Sequence, residues 1–182
     1  RVLGIAMGTS EAGGYVDRDG NITGWLNELA FVPVDYNPGA MADEWSGDTG
    51  CGVKYFSQDA VIKLAPAAGI PLPGDSSPAE KLKVVQELEV AGDPRAALVY
   101  DSIGCYLGYA LAYYAEFYDI SHVLLLGRVT SGTGGSRMLD KALEVLSREF
   151  PELARTMTLH LPDEASKRVG QSIAAASLPS TR

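Results

Sequence analysis

Two glycine-rich stretches carry the chemistry-bearing pattern of this sequence. The first runs Met7-Gly8-Thr9-Ser10-Glu11-Ala12-Gly13-Gly14, directly after the apolar run Val2 to Met7. Backbone N–H groups in such a turn can point at phosphate oxygens, and glycine permits close approach. The same glycines also suit a plain hairpin, and Glu11 opposes a phosphate unless Mg2+ lies between. The second stretch follows Val123 to Leu126 and runs Gly127-Arg128-Val129-Thr130-Ser131-Gly132-Thr133-Gly134-Gly135. It leaves the C-terminal end of a strand and opens a helix. Ligands sit at that edge in open α/β sheets, and a helix N-terminus favours anions. Arg128 suits stacking on a base or pairing with a phosphate; the alternative is an ordinary surface arginine. If both stretches serve one nucleotide, they must meet in space.

Other polar residues are weaker candidates. Glu28 can accept hydrogen bonds from two sugar hydroxyls, or stand as a solvated charge beside Trp25. Trp25 suits a sugar face or ordinary packing. Asp43, Glu44 and Asp48 form an acidic stretch whose spacing matches no EF-hand, so a solvated loop is the expectation. His122 and His160 have no evident partner and read as structural. Cys51 and Cys105 match no metal spacing or disulfide framework. Both read as buried small apolar residues, which fits a reducing cytoplasm.

The elements that must position these residues follow from pattern. Val2 to Met7 reads as a buried strand, and Gly13 to Gly24 as part of a hairpin turning at Asp19-Gly20-Asn21. Phe31 to Val34 is a short extended run. A helix fits Val53 to Leu64, ended by Pro66. Ser76 or Ser77 caps a second, with Pro78 in its first turn, running to about Val90. Asp93-Pro94 opens a long helix to about Tyr118, whose Gly104 and Gly108 invite close backbone approach. Its tyrosines and Phe117 read as core and rim packing. His122 to Leu126 is a strand, Ser136 to Phe150 a helix, Thr156 to Leu161 a strand, and Asp163 caps a last helix to about Leu178. Strands, then helices, then β-α-β-α give an α/β domain with a mixed sheet and helices on both faces.

Composition narrows the function classes. The chain has 182 residues, enough for one domain with a real core. Its 46% hydrophobic and 21% charged residues are an ordinary globular balance. The formal net charge is −8 without a Lys/Arg cluster, which argues against direct contact with nucleic acid or an anionic membrane. The apolar runs are strand-length, too short to span a bilayer. Residue one is Arg, and a core strand begins at once, so a fragment lacking an N-terminal lobe is expected.

From end to end the chain resembles the second lobe of ROK sugar kinases and their regulator relatives. That lobe begins with a strand and a GTGxGGG-like phosphate loop, read here as Gly8-Thr9-Ser10-Glu11-Ala12-Gly13-Gly14. An ExGH motif that contacts the sugar follows; here it reads Glu28-Leu29-Ala30-Phe31. The cysteine-rich zinc segment of many members is reduced to Gly50-Cys51-Gly52. The long helix is similar in Gly92-Asp93-Pro94 and Tyr106-Leu107-Gly108-Tyr109-Ala110-Leu111-Ala112. Val123 to Gly127 resembles the adenosine segment, and Gly170 to Ala176 the small-residue C-terminal helix.

The resemblance implies an actin-like ATPase (ribonuclease H-like) lobe. Residues 1–182 would form a single C-terminal lobe of a two-lobe protein. ATP with Mg2+ would be held by Gly8, Thr9, Ser10, Gly13, Gly127, Arg128 and Val129, and a sugar or other small hydroxylated substrate by Glu28. The catalytic aspartate belongs upstream of this segment. Phe31 stands where the family histidine would ligate zinc, so no structural zinc is expected. The phosphate loop has Ser10 and Ala12 in place of glycines. The implied activity is an ATP-dependent carbohydrate kinase-like transferase of the cytoplasm. The alternatives are a non-catalytic ligand-binding regulator and an activator ATPase with a cluster-ligating cysteine. A homo-oligomer is compatible with each.

Overall fold

The structure, a computed structural model, describes residues 1–22, 27–162 and 166. A four-stranded sheet in the order β2-β1-β3-β4 is its frame. Strand β1 (Val2–Met7) pairs antiparallel with β2 (Glu11–Val16), Met7 opposite Glu11, so a three-residue turn joins them. On its other side β1 runs parallel to β3 (His122–Leu126), which runs parallel to β4 (Thr158–His160). The mixed sheet expected from the element order is present. Parallel neighbours cannot be joined by a hairpin. The chain between β1 and β3 therefore supplies α1 (Gln58–Ala67), α2 (Pro78–Val90) and α3 (Pro94–Tyr114). The chain between β3 and β4 supplies α4 (Thr133–Glu149) and α5 (Pro151–Thr156).

Strand alternation sorts the sheet residues. Leu3, Ile5, Met7, Val123 and Leu125 are fully buried and join the core with Val99, Tyr100, Ile103, Leu107 and Leu111 of α3. The alternate positions Val2, Ala6, Leu124 and Leu126 are half-buried. α3 packs on α4 through Gly104 and Gly108. A side-chain carbon at Gly104 would lie 2.8 Å from Lys141 Cβ, and one at Gly108 2.6 Å from Val145 Cβ. The two glycines thus serve close approach, as their sequence context indicated.

Helix starts follow capping chemistry. Asp93 accepts from Arg95 N ahead of α3, and Ser77 and Glu80 form a reciprocal capping box ahead of α2. The helix expected over Val53 to Leu64 is displaced. Gly52–Lys54 forms a 3-10 turn, Ser57 caps α1, and Pro66 sits inside its last turn rather than ending it. Residues Phe31 to Val34 do not extend the sheet. A 3-10 turn covers Leu29–Phe31, and Pro33 makes an isolated bridge to Cys51. The long helix ends at Tyr114, α4 begins three residues earlier than its periodicity suggested, and α5 takes Thr156 from the expected last strand. Trp25 and the expected helix from Asp163 to Leu178 lie outside the described residues, Ser166 apart. Among the described residues no helix is long and apolar enough to cross a membrane.

Candidate functional site

The two glycine-rich stretches converge. Because β1 and β3 are parallel neighbours, the turn after Met7 and the loop after Leu126 emerge at one sheet edge. Gly127 crosses the end of β1 with φ 95°, and a side-chain carbon there would lie 2.6 Å from the Met7 carbonyl carbon. Only glycine takes that conformation and that approach without strain. In the first turn Gly8 N donates to Ser10 O at 2.9 Å, and Gly8 O accepts from Gln58 N at 2.8 Å at the start of α1. Thr9 and Ser10 are exposed at the tip. In the second loop Thr130 Oγ1 donates to Gly127 O at 2.9 Å, closing a 3-10 turn over Arg128–Thr130. α4 then opens at Gly132, which supplies no side-chain cap. Its first-turn N–H groups therefore lack the usual side-chain acceptor.

The expected site residues divide into two groups. Thr9, Ser10 and Arg128 are exposed at this edge, with Gly8 half-buried beneath them. The Arg128 carbonyl is anchored by Gln86 Nε2 at 2.8 Å, which leaves its side chain at the surface. Val129 is fully buried, so its side chain belongs to the core. Gly13 is set back inside β2. A side chain there would collide with Leu29, its Cγ 2.8 Å away, so this glycine makes room for the Leu29 turn.

Glu11 counts against a phosphate in sequence, but the structure turns it inward. Its pairing with Met7 puts it on the core face, and only 4% of it is exposed. Its carboxylate lies against Gly52, where any side chain would displace it. Neither oxygen has a hydrogen-bond partner among the described residues, and the nearby Tyr114 hydroxyl, also buried, has none either. Burial pushes the Glu11 carboxyl up to about 8. At neutral pH it is therefore predominantly protonated and presents little charge to an anion above it.

A second wall, from Glu28 to Asp59, is built from side chains. Glu28 precedes the 3-10 turn, is exposed, and makes no capping bond. Phe31 is partly exposed and packs on Trp45 with ring centroids 5.9 Å apart. Behind it Asp35 Oδ2 accepts from Tyr55 OH at 2.6 Å and from Tyr106 OH at 3.0 Å. Burial raises the Asp35 carboxyl, but donation by Tyr55, Asn37 and Tyr106 outweighs it, and the net shift is downward.

The acidic stretch is not a plain solvated loop. Asp43 is buried and lies 3.2 Å from Lys54 Nζ, which also pairs with Asp59 at 2.8 Å and with Glu44. Burial lowers the Lys54 pKa, and bonds to the three carboxylates overcome this and hold it raised. Glu44, bonded to Lys54 and Lys63, is held down to about 2. This ammonium ties the loop to the 3-10 turn and to α1, the segment where the resemblance puts zinc. The donors present do not fit zinc. Cys51 is buried with its thiol raised by burial and by Asp43. Among the described residues no group of three or more His, Cys, Asp or Glu side chains is arranged for a metal. A lysine inside the apolar run Cys51 to Phe56 was the sequence signal for this cluster.

Two further expectations need correction. His122 and His160 partner each other, Nδ1 to Nε2 at 3.0 Å, because β3 and β4 are neighbours. Cys105 is half-buried rather than buried.

No protein-family model and no curated protein matches this sequence. Solved structures do. A ROK hexokinase from Thermus thermophilus superposes with a TM-score of 0.68 and 22% identity, over 91% of this chain and 53% of its own. The chain has the fold of a ROK-protein lobe. A ROK glucokinase from Streptomyces griseus, solved with glucose and AMPPNP, matches at 0.61 and 25% identity, over 81% of this chain and 50% of its own. A ROK transcriptional regulator, a homologue of the E. coli MLC protein, matches at 0.69 and 21%, over 88% and 41%. The chain thus spans about half the length of the ROK structures it matches, and its sheet is that of their actin-like ATPase fold.

Proposed function

We propose that this ROK-like lobe supplies the nucleotide side of a two-lobe sugar-kinase-like phosphotransferase, with an N-terminal lobe completing the site. The observation that carries the reading is the convergence of the Gly8–Ser10 turn and the Gly127 loop at one sheet edge. Bound ATP would supply the transferable phosphoryl group and Mg2+ the charge neutralisation. The chain's own contribution is positioning. Backbone N–H groups and hydroxyls of Thr9 and Ser10 would hold phosphate oxygens, with the uncapped start of α4 adding favourable dipole. Arg128 would lie along the base or ribose. Glu11, buried and largely neutral, is not available to Mg2+, which would rest on the phosphates themselves. Glu28 would face the hydroxylated acceptor, and the catalytic base would come from the other lobe.

Calorimetric titration of ATP into the full protein tests this. Saturable binding that falls about tenfold in Arg128→Ala supports it. Absence of binding, or an unchanged affinity in that variant, sinks the assignment.

Phe31 favours a second reading. An apolar ring where the family's histidine would stand removes a polar contact from the acceptor wall. A ligand-binding regulator needs closure without turnover. Phosphorylated product formed from ATP and a sugar would decide for the kinase; nucleotide binding without turnover would decide for the regulator.

A further inference from the structure

Between the Glu28 loop and the end of α3 lies a cavity of about 410 Å3. Five aromatic side chains line it: Phe31 from the loop, and Tyr113, Tyr114, Phe117 and Tyr118 from the helix and its exit. Glu28 is the one charged side chain among its described lining residues. Its carboxylate is exposed and has no hydrogen-bond or ion-pair partner among the described residues.

The chemistry of this lining is lopsided. A polyol needs several convergent donors and acceptors, since each buried hydroxyl left unpaired costs free energy. Two of the three tyrosine hydroxyls are poorly placed to provide them. Tyr118 OH donates to Asn27 Oδ1 at 3.2 Å, and the Tyr114 hydroxyl is buried. What remains is the Tyr113 hydroxyl and one carboxylate that has no partner among the described residues, set among ring faces. Aromatic faces attract cations through their quadrupole, and a carboxylate without a counter-charge attracts the same group. The net charge of −8 adds a long-range bias in that direction.

We infer that this cavity binds an organic cation, a ligand that presents an ammonium group to Glu28 and lays an apolar body against Phe31, Tyr113 and Phe117. The inference keeps Glu28 as a ligand contact, replaces the hydroxylated acceptor proposed there with a cationic ligand, and is independent of the nucleotide edge. It makes Glu28 the specificity-determining residue and Phe31 a functional replacement rather than a lost histidine.

Calorimetric titration of the full protein, without nucleotide, with phenethylammonium, its neutral isostere 2-phenylethanol, and glucose is the test. The ammonium compound is expected to bind about tenfold or more tighter than the alcohol. Glu28→Gln should remove that advantage and leave the alcohol unchanged. Phe117→Ala, at an exposed position, should weaken both aromatic probes while circular dichroism stays that of the parent. Equal affinity for ammonium and alcohol, tighter binding of glucose, an unaffected Glu28→Gln variant, or absence of saturable ammonium binding each overturns the proposal. ATP titrated separately keeps the two readings apart: ATP binding without ammonium binding removes this inference alone, and the reverse removes the nucleotide assignment alone.

Discussion

The sheet edge at Gly8 and Gly127 and the wall from Glu28 to Asp59 are built by different means. At the edge, backbone does the positioning: Gly127 passes over Met7 at a positive φ, and the first turn closes on its own carbonyl. Side chains there, Thr9, Ser10 and Arg128, project outward and carry little of the fold. At the wall, side chains do the positioning. Lys54 gathers three carboxylates, Asp35 gathers two tyrosine hydroxyls, and the Phe31 ring stands where the resemblance puts histidine. A backbone-built site tolerates sequence drift around its fixed glycines. A site built from side chains changes its chemistry with each replacement. The expected effects of substitution should differ accordingly.

The largest effect belongs to the edge. Gly127→Ala adds a side-chain carbon against the Met7 backbone at a disfavoured φ and is expected to cost about 4 kcal/mol or more. Urea unfolding measures it, and a loss under about 1 kcal/mol would break the contrast drawn above. The same crowding means that substituting Gly127 reports on folding before it reports on nucleotide.

Glu11 lies beneath the edge and links the regions through Gly52 and Tyr114. Its folded-state pKa of about 8 exceeds the ordinary 4.5. Between those values the folded state holds a proton that the unfolded state has released. Its contribution is therefore fully present below pH 4.5 and is lost as pH rises through about 8. Across pH 5 to 9 that amounts to roughly 4 kcal/mol. Glu11→Gln should remove this slope in urea titrations at several pH values; an unchanged slope would show that Glu11 is not its source.

Lys54→Met should leave Asp43 buried without its cation and cost about 3 kcal/mol in thermal or urea unfolding. The wall should loosen more than the edge. Hydrogen exchange is expected to rise over residues 40–59 and stay unchanged in β1 and β3, and uniform loosening would deny the wall its own scaffold.

The smallest effect on the fold is that of Arg128→Ala. Its side chain is exposed, so unfolding should be unchanged while ATP affinity falls about tenfold, or roughly 1.4 kcal/mol. A drop in stability instead would assign Arg128 to structure.

The sequence by itself determined the strands Val2–Met7 and His122–Leu126, the start of α3 at Asp93-Pro94, the capping box at Ser77, and the two glycine stretches. Each is a local matter of apolar runs, cap acceptors or turn residues, and needs no distant partner. The role of Gly104 and Gly108 was legible for the same reason: consecutive small residues on one helix face have few other uses. Only the tertiary structure decided which way Glu11 faces, because the sheet register fixes that. It also decided that Lys54 neutralises Asp43 and that His122 meets His160, since burial and cross-strand neighbours are set by elements far apart in sequence. The helix expected from Val53 failed on the same ground. Tyr55 and Phe56 match a helical stripe, yet the bonds of Tyr55 to Asp35 and of Ser57 to Val53 and Asp59 hold the chain in a turn until Gln58.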